Sequence, residues 1–130
     1  SLVVDGVPAL RDHLERGIAA AIPGTFVNGE GAPRIGNTSN VSFDGVEAET
    51  LLMALDLEGI AVSTGAACSS GTLEPSHVLL AMGHPARARA SIRFSLGPGT
   101  TAAEIDRVLS VLPPLVDKLR QLGRRKAAVR

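Results

Sequence analysis

Aromatic side chains are nearly missing from this sequence, which has three Phe and neither Trp nor Tyr among 130 residues. Its core must therefore be aliphatic, and the stacking platform that binds single-stranded nucleic acid cannot be assembled. Net charge is also missing, with 13 basic residues against 13 acidic ones. No general attraction to DNA or to anionic membranes is indicated, so neither nucleic acid nor a membrane is expected as a partner. The single cysteine excludes an intramolecular disulfide and any zinc site built from several thiolates. A lone thiol suits a reducing compartment, and a cytoplasmic location is expected. No apolar stretch approaches the length of a membrane span, and the first residues lack the charged and apolar regions of a signal peptide.

What is present is an aliphatic chain of one-domain size. Apolar residues make up 45% of it, which argues against disorder as a global state. Residues 1–8 read as a linker or arbitrary start. From Pro8 onward the pattern turns helical, with Val7, Leu10, Leu14, Ile18 and Ala21 on one side and Arg11, Asp12, Glu15 and Arg16 on the other. Ile22-Pro23-Gly24 ends that helix. Phe26 to Pro33 is turn-rich and is expected to be loop. Thr38 to Phe43 alternates as a strand, with Val41 and Phe43 on one face and Asn40 and Ser42 on the other. Ala48, Leu51, Leu52 and Leu55 mark a second helix that stops at Gly59.

Ile60 to Val62 reads as a short strand, and Pro75 to Met82 as a short helix. Ala90 to Leu96 alternates Ile92, Phe94 and Leu96 against Ser91, Arg93 and Ser95, another strand. After Gly97-Pro98-Gly99, Thr101 and Glu104 have the spacing of a capping box. A long amphipathic helix follows, marked by Ile105, Val108, Leu109, Leu112, Val116 and Leu119. Pro113 and Pro114 predict a kink or break within it, and 123–130 is expected to be a frayed basic tail. The expected fold is α/β: a two-layer sandwich with a short, three-stranded, mainly antiparallel sheet and helices.

The chemistry concentrates at two residues. Ser63 to Thr72 contains almost only small side chains, which predicts a mobile or closely approached loop. Cys68 sits within it. Free cysteines are most often small buried hydrophobes, but Ala67, Ser69, Ser70 and Gly71 offer no wall of large side chains, which favours an accessible, nucleophilic thiol. Arg93 lies between two apolar neighbours that point the other way. An exposed strand arginine and a bidentate clamp on a carboxylate both fit that position. His13, His77 and His84 make no ligand pattern and suit solvated or capping roles, so no metal site is expected. The glycines form no phosphate loop.

Around Cys68 the sequence resembles the pyridoxal-phosphate-dependent cysteine desulfurases of the class-V aminotransferase family that serve iron–sulfur cluster assembly. The similar stretches are Asn37-Thr38-Ser39-Asn40-Val41-Ser42-Phe43, Val46-Glu47-Ala48-Glu49 and Met53-Ala54-Leu55-Asp56. They continue through Gly59-Ile60-Ala61-Val62 and the loop of Ser63, Thr64, Gly65, Ala66, Ala67, Cys68, Ser69, Ser70 and Gly71. Leu73-Glu74-Pro75-Ser76-His77-Val78-Leu79 and Ser91-Ile92-Arg93-Phe94-Ser95-Leu96-Gly97 complete the set. The resemblance covers roughly Leu10 to Leu122, a domain-sized span.

It implies the small, C-terminal domain of a fold-type I pyridoxal-phosphate enzyme over residues 9–122. It further implies that Cys68 takes sulfur from L-cysteine as a persulfide and releases L-alanine, that Arg93 binds the substrate carboxylate, and that the loop delivers sulfur to an iron–sulfur scaffold or another acceptor protein. The family is homodimeric. Only Lys118 and Lys126 are present, and neither matches the lysine that forms the Schiff base with pyridoxal phosphate. The chain is therefore expected to be a fragment, inactive alone and without cofactor-binding residues of its own. A stand-alone sulfur-relay or scaffold-binding module, and a fragment of a selenocysteine lyase, remain as alternatives.

Overall fold

A computed structural model describes residues 6–28, 38–64 and 90–129, with the side chains of 126–129 excluded. In chain order the elements are α1 (Gly6–Ala21), β1 (Thr25–Asn28), β2 (Thr38–Phe43), α2 (Ala48–Leu57), β3 (Ser63–Thr64), β4 (Ser91–Ser95) and α3 (Ala102–Val129). The strands form one sheet in the order β1-β2-β4-β3, with every neighbouring pair antiparallel. The fold is mixed α/β, as expected, with four strands among the described residues rather than three.

Period-two alternation decides which side of the sheet meets the helices. Val41 and Phe43 of β2 and Ile92 and Phe94 of β4 point to one face and are buried there. They join Leu10, Leu14 and Ile18 of α1, Leu51 and Leu55 of α2, and Ile105, Leu112 and Val116 of α3 in a single cluster. Spacings of four and seven residues put each helical set on one stripe. The stripe of α1 closes at the buried Ile22, while Ala21 is exposed. Helices α1 and α2 lie on the sheet, and α3 packs against both.

Local signals set several boundaries as expected. Gly45 and Gly59 take positive φ, at 80° each, where the chain turns after β2 and after α2. The capping box at the start of α3 is complete: Thr101 N donates to Glu104 Oε1 at 2.9 Å, and Glu104 N donates to Thr101 Oγ1 at 3.2 Å.

Several expectations are corrected. Residues 6–8, assigned above to a linker, already belong to α1. Phe26 to Asn28, expected as loop, pair with β2 as part of β1; tertiary pairing there outweighs the flanking turn residues. The strand expected at Ile60–Val62 lies instead at Ser63–Thr64. Ser63 and Thr64 are therefore ladder residues bonded to β4 and not members of the small-residue loop.

Helix α3 also runs without a break through Pro113 and Pro114 and continues to Val129, past the expected start of a frayed tail. Fully buried Leu112 and Val116 flank the two prolines and hold both halves of the helix on the core, while Pro114 faces outward. Burial of large aliphatic side chains, worth about 1.5–3 kcal/mol each, offsets a proline penalty of about 3 kcal/mol.

The expected helix at Pro75–Met82, His77, His84 and the whole of Gly65–Gly71 lie outside the described residues.

Candidate functional site

Helices cover one face of the sheet, and among the described residues the other face carries polar side chains together with Phe26. Cross-strand register places Asn28 opposite Asn40, Asn40 opposite Arg93, and Arg93 opposite Ser63. Partners in antiparallel register share a face. These four residues therefore form one row that crosses the sheet from β1 to β3, and each is half-buried. Arg93 occupies its middle because β4 is inserted between β2 and β3.

One half of the row is tightly bonded. Asn28 Nδ2 donates to Asn40 Oδ1 at 3.0 Å and to Ser42 Oγ at 2.8 Å, with Ser91 Oγ at the 3.5 Å limit. Ser42 and Ser91, themselves opposite in register and fully buried, hold their hydroxyls 2.8 Å apart. An amide with two N–H groups and two hydroxyls thus stitch β1, β2 and β4 together on this face.

The other half is uncommitted. Among the described residues, no hydrogen bond or ion pair joins the Arg93 guanidinium to another side chain, and the same holds for the amide nitrogen of Asn40 and the hydroxyl of Ser63. A guanidinium in mid-sheet, half-buried and with no acid bonded to it among the described residues, suits an external carboxylate.

Of the residues singled out in the sequence, Arg93 therefore lies in a polar site. Cys68 lies outside the described residues. His13 is far from this face: its Nε2 lies 2.9 Å from Asp106 Oδ1, an exposed pairing of α1 with α3. Among the described residues no three His, Cys, Asp or Glu side chains cluster as metal ligands. Asn28, Asn40, Ser42 and Ser91 are the additional members of the site. The alternation of β2 and β4 signals a polar face at positions 40, 42, 91 and 93, but only the register links them to Asn28.

The family model described as "Aminotransferase class-V" matches residues 7–108. The chain belongs to that family. This class-V chain is 56% identical over 118 residues to a cysteine desulfurase of Cereibacter sphaeroides, covering 90% of this chain and 30% of that protein. It is 50% identical to the cysteine desulfurase NifS of Azotobacter vinelandii over 118 residues, 90% of this chain and 29% of that one. Among solved structures, the NifS-like protein of Rickettsia africae superimposes with a TM-score of 0.72 at 26% identity, covering 85% of this chain and 28% of that one. The class-V chain thus spans about three tenths of the length of the relatives it matches.

Proposed function

We propose that this class-V chain is the small, C-terminal domain of a cytoplasmic cysteine desulfurase. In this reading Arg93 holds the carboxylate of L-cysteine, and Cys68 takes its sulfur. The single observation that carries it is the Arg93 guanidinium in the middle of the polar sheet face with no bonded partner among the described residues. Similarity to cysteine desulfurases over nine tenths of the chain supplies the reaction class. Cys68 follows Thr64 of β3 by four residues, so covalent reach ties it to within roughly 14 Å of the strand beside Arg93.

The chemistry assigned to Cys68 balances. Its thiolate forms an S–S bond with the substrate sulfur, and the substrate's C–S bond breaks. The carbon skeleton leaves as L-alanine, with the thiol proton retained between product and persulfide. The persulfide sulfur then passes to an iron–sulfur scaffold or another acceptor protein, and residues 65–71 are assigned the carrying role.

Pyridoxal phosphate, the cofactor of this proposed activity, finds no lysine suited to link it among the described side chains. Lys118, the one lysine whose side chain is described, is exposed on α3 and lines neither the cleft around Gly24 and Arg120 nor the one around Leu14 and Phe94, which makes it a poor match for a Schiff-base lysine. Cofactor binding, and the dimer interface with it, is assigned to the remainder of the full-length enzyme.

The test uses the full-length gene product with L-cysteine, reading L-alanine release and, by mass spectrometry, one added sulfur on Cys68. Both are expected in the wild type, and both should vanish in Cys68→Ser. Turnover that survives Cys68→Ser would remove Cys68 from the reaction. Comparison of L-cysteine with L-selenocysteine separates a desulfurase from a selenocysteine lyase.

A further inference from the structure

The half-bonded row on the polar face assigns a task to Asn40. Its Oδ1 accepts from Asn28 Nδ2, on the β1 side. A carboxamide has one acceptor end and one donor end, so this bond decides which way the group is turned. With Oδ1 held toward β1, Nδ2 is turned away from β1, and β4 with Arg93 lies on that side. That nitrogen makes no hydrogen bond to any described residue. The row therefore sets two donor groups next to each other in register, an amide N–H pair and a guanidinium, with no acceptor among the described residues bonded to either.

We infer that Asn40 is a second binding residue for the substrate carboxylate, donating through Nδ2 to one oxygen while Arg93 engages the other. A carboxylate is acceptor-only, with two oxygens and several lone pairs, and two neighbouring donors match it. Asn28 is a positioning residue. It touches no substrate and acts by holding the Asn40 amide in the orientation that presents a donor. Ser42 takes the second N–H of Asn28 and, with Ser91, fixes Asn28 in turn. The half-buried setting of the row reduces competition from water for these bonds.

This inference rests on the reading of Arg93 as the carboxylate clamp, and the experiment separates the two. Inhibition of the full-length enzyme is measured with L-alanine and with ethylamine, the same skeleton without a carboxylate, alongside KM and kcat for L-cysteine. In Asn40→Ala the inhibition constant for L-alanine and the KM for L-cysteine should each rise about tenfold, while the constant for ethylamine stays put. Asn40→Asp, which sets an acceptor and a negative charge against the carboxylate, should weaken L-alanine further than alanine does. Asn28→Ala should raise the same two constants by a smaller factor and add nothing in the Asn40→Ala background.

Unchanged L-alanine inhibition in a folded Asn40→Ala enzyme overturns the assignment. So does an equal loss for L-alanine and ethylamine, the signature of a merely structural role. If Arg93→Ala also leaves L-alanine inhibition untouched, the clamp reading itself fails, and the role of Asn40 fails with it.

Discussion

Ser39 Oγ donates to Glu15 Oε2 across 2.5 Å, on the apolar side of the sheet, tying α1 to β2. Ser39 is fully buried and Glu15 is 9% exposed, so neither polar group can turn to water when the other is removed. A hydrogen bond to a charged group of this kind contributes about 1.5–3 kcal/mol. Ser39→Ala should therefore lower the urea midpoint of the chain by an amount corresponding to about that loss. An unchanged midpoint would show that Glu15 finds an equivalent donor.

Arg93 offers a sharper test of the proposed function, in which it contributes to binding and not to the fold. Its guanidinium has no bonded partner among the described residues, so removing it strands no buried acid among them. Arg93→Ala in the full-length enzyme should raise KM for L-cysteine between tenfold and a hundredfold, for a loss of about 1.5–3 kcal/mol, with little change in thermal stability. Arg93→Lys should restore only a small part, since an ammonium cannot make the paired, planar contact. Full activity in the lysine variant would argue that charge alone is needed at this position.

The strands at the centre of the sheet were the most legible part of the sequence. Both β2 and β4 alternate in hydropathy, and their apolar positions Val41, Phe43, Ile92 and Phe94 are all buried, so period and burial agree there. The capping box at Thr101 and Glu104 was legible for a similar reason: its bonds join residues three apart, and nothing distant is needed. The edge strands β1 and β3 were not, because four and two residues carry too little period and are held by pairing with β2 and β4. Arg93 was visible as a candidate, but its relation to Asn40 and Asn28 was not. That relation depends on register across three strands, a property no single segment encodes.

Arg120 reaches from α3 to two turns at once. Its Nε donates to Asp44 O at 2.7 Å and a terminal nitrogen donates to Gly24 O at 3.3 Å. Gly24 has φ of 75°, and a Cβ built there would lie 3.1 Å from that terminal nitrogen. Gly24→Ala thus combines a left-handed backbone that disfavours a side chain with a contact that pushes the guanidinium off its carbonyls. A loss of at least about 1 kcal/mol is expected. Arg120→Ala should cost about 1 kcal/mol by itself. Because both changes break the same contact, the double variant should lose less than the sum of the two. Strict additivity in urea titrations would show that the turn and the arginine are independent.

The two prolines of α3 permit a prediction of opposite sign. A proline at position 114 supplies no N–H to the carbonyl of Ser110, and its ring crowds that carbonyl, at a cost of about 3 kcal/mol in a helix interior. The ring at 114 is exposed, so replacing it removes no core packing. Against the gain stands the greater freedom that alanine allows the unfolded chain, worth about 0.4–1 kcal/mol. The helix term is the larger, and Pro114→Ala should stabilise the chain by roughly 2 kcal/mol on these magnitudes. Pro113 is partly buried, so Pro113→Ala removes contacts along with the ring and should gain less. Hydrogen exchange provides the second readout: the amide created at 114 should be protected if α3 closes its ladder onto Ser110. A destabilised Pro114→Ala variant would mean that the proline relieves a strain imposed by packing Leu112 and Val116 into the same core.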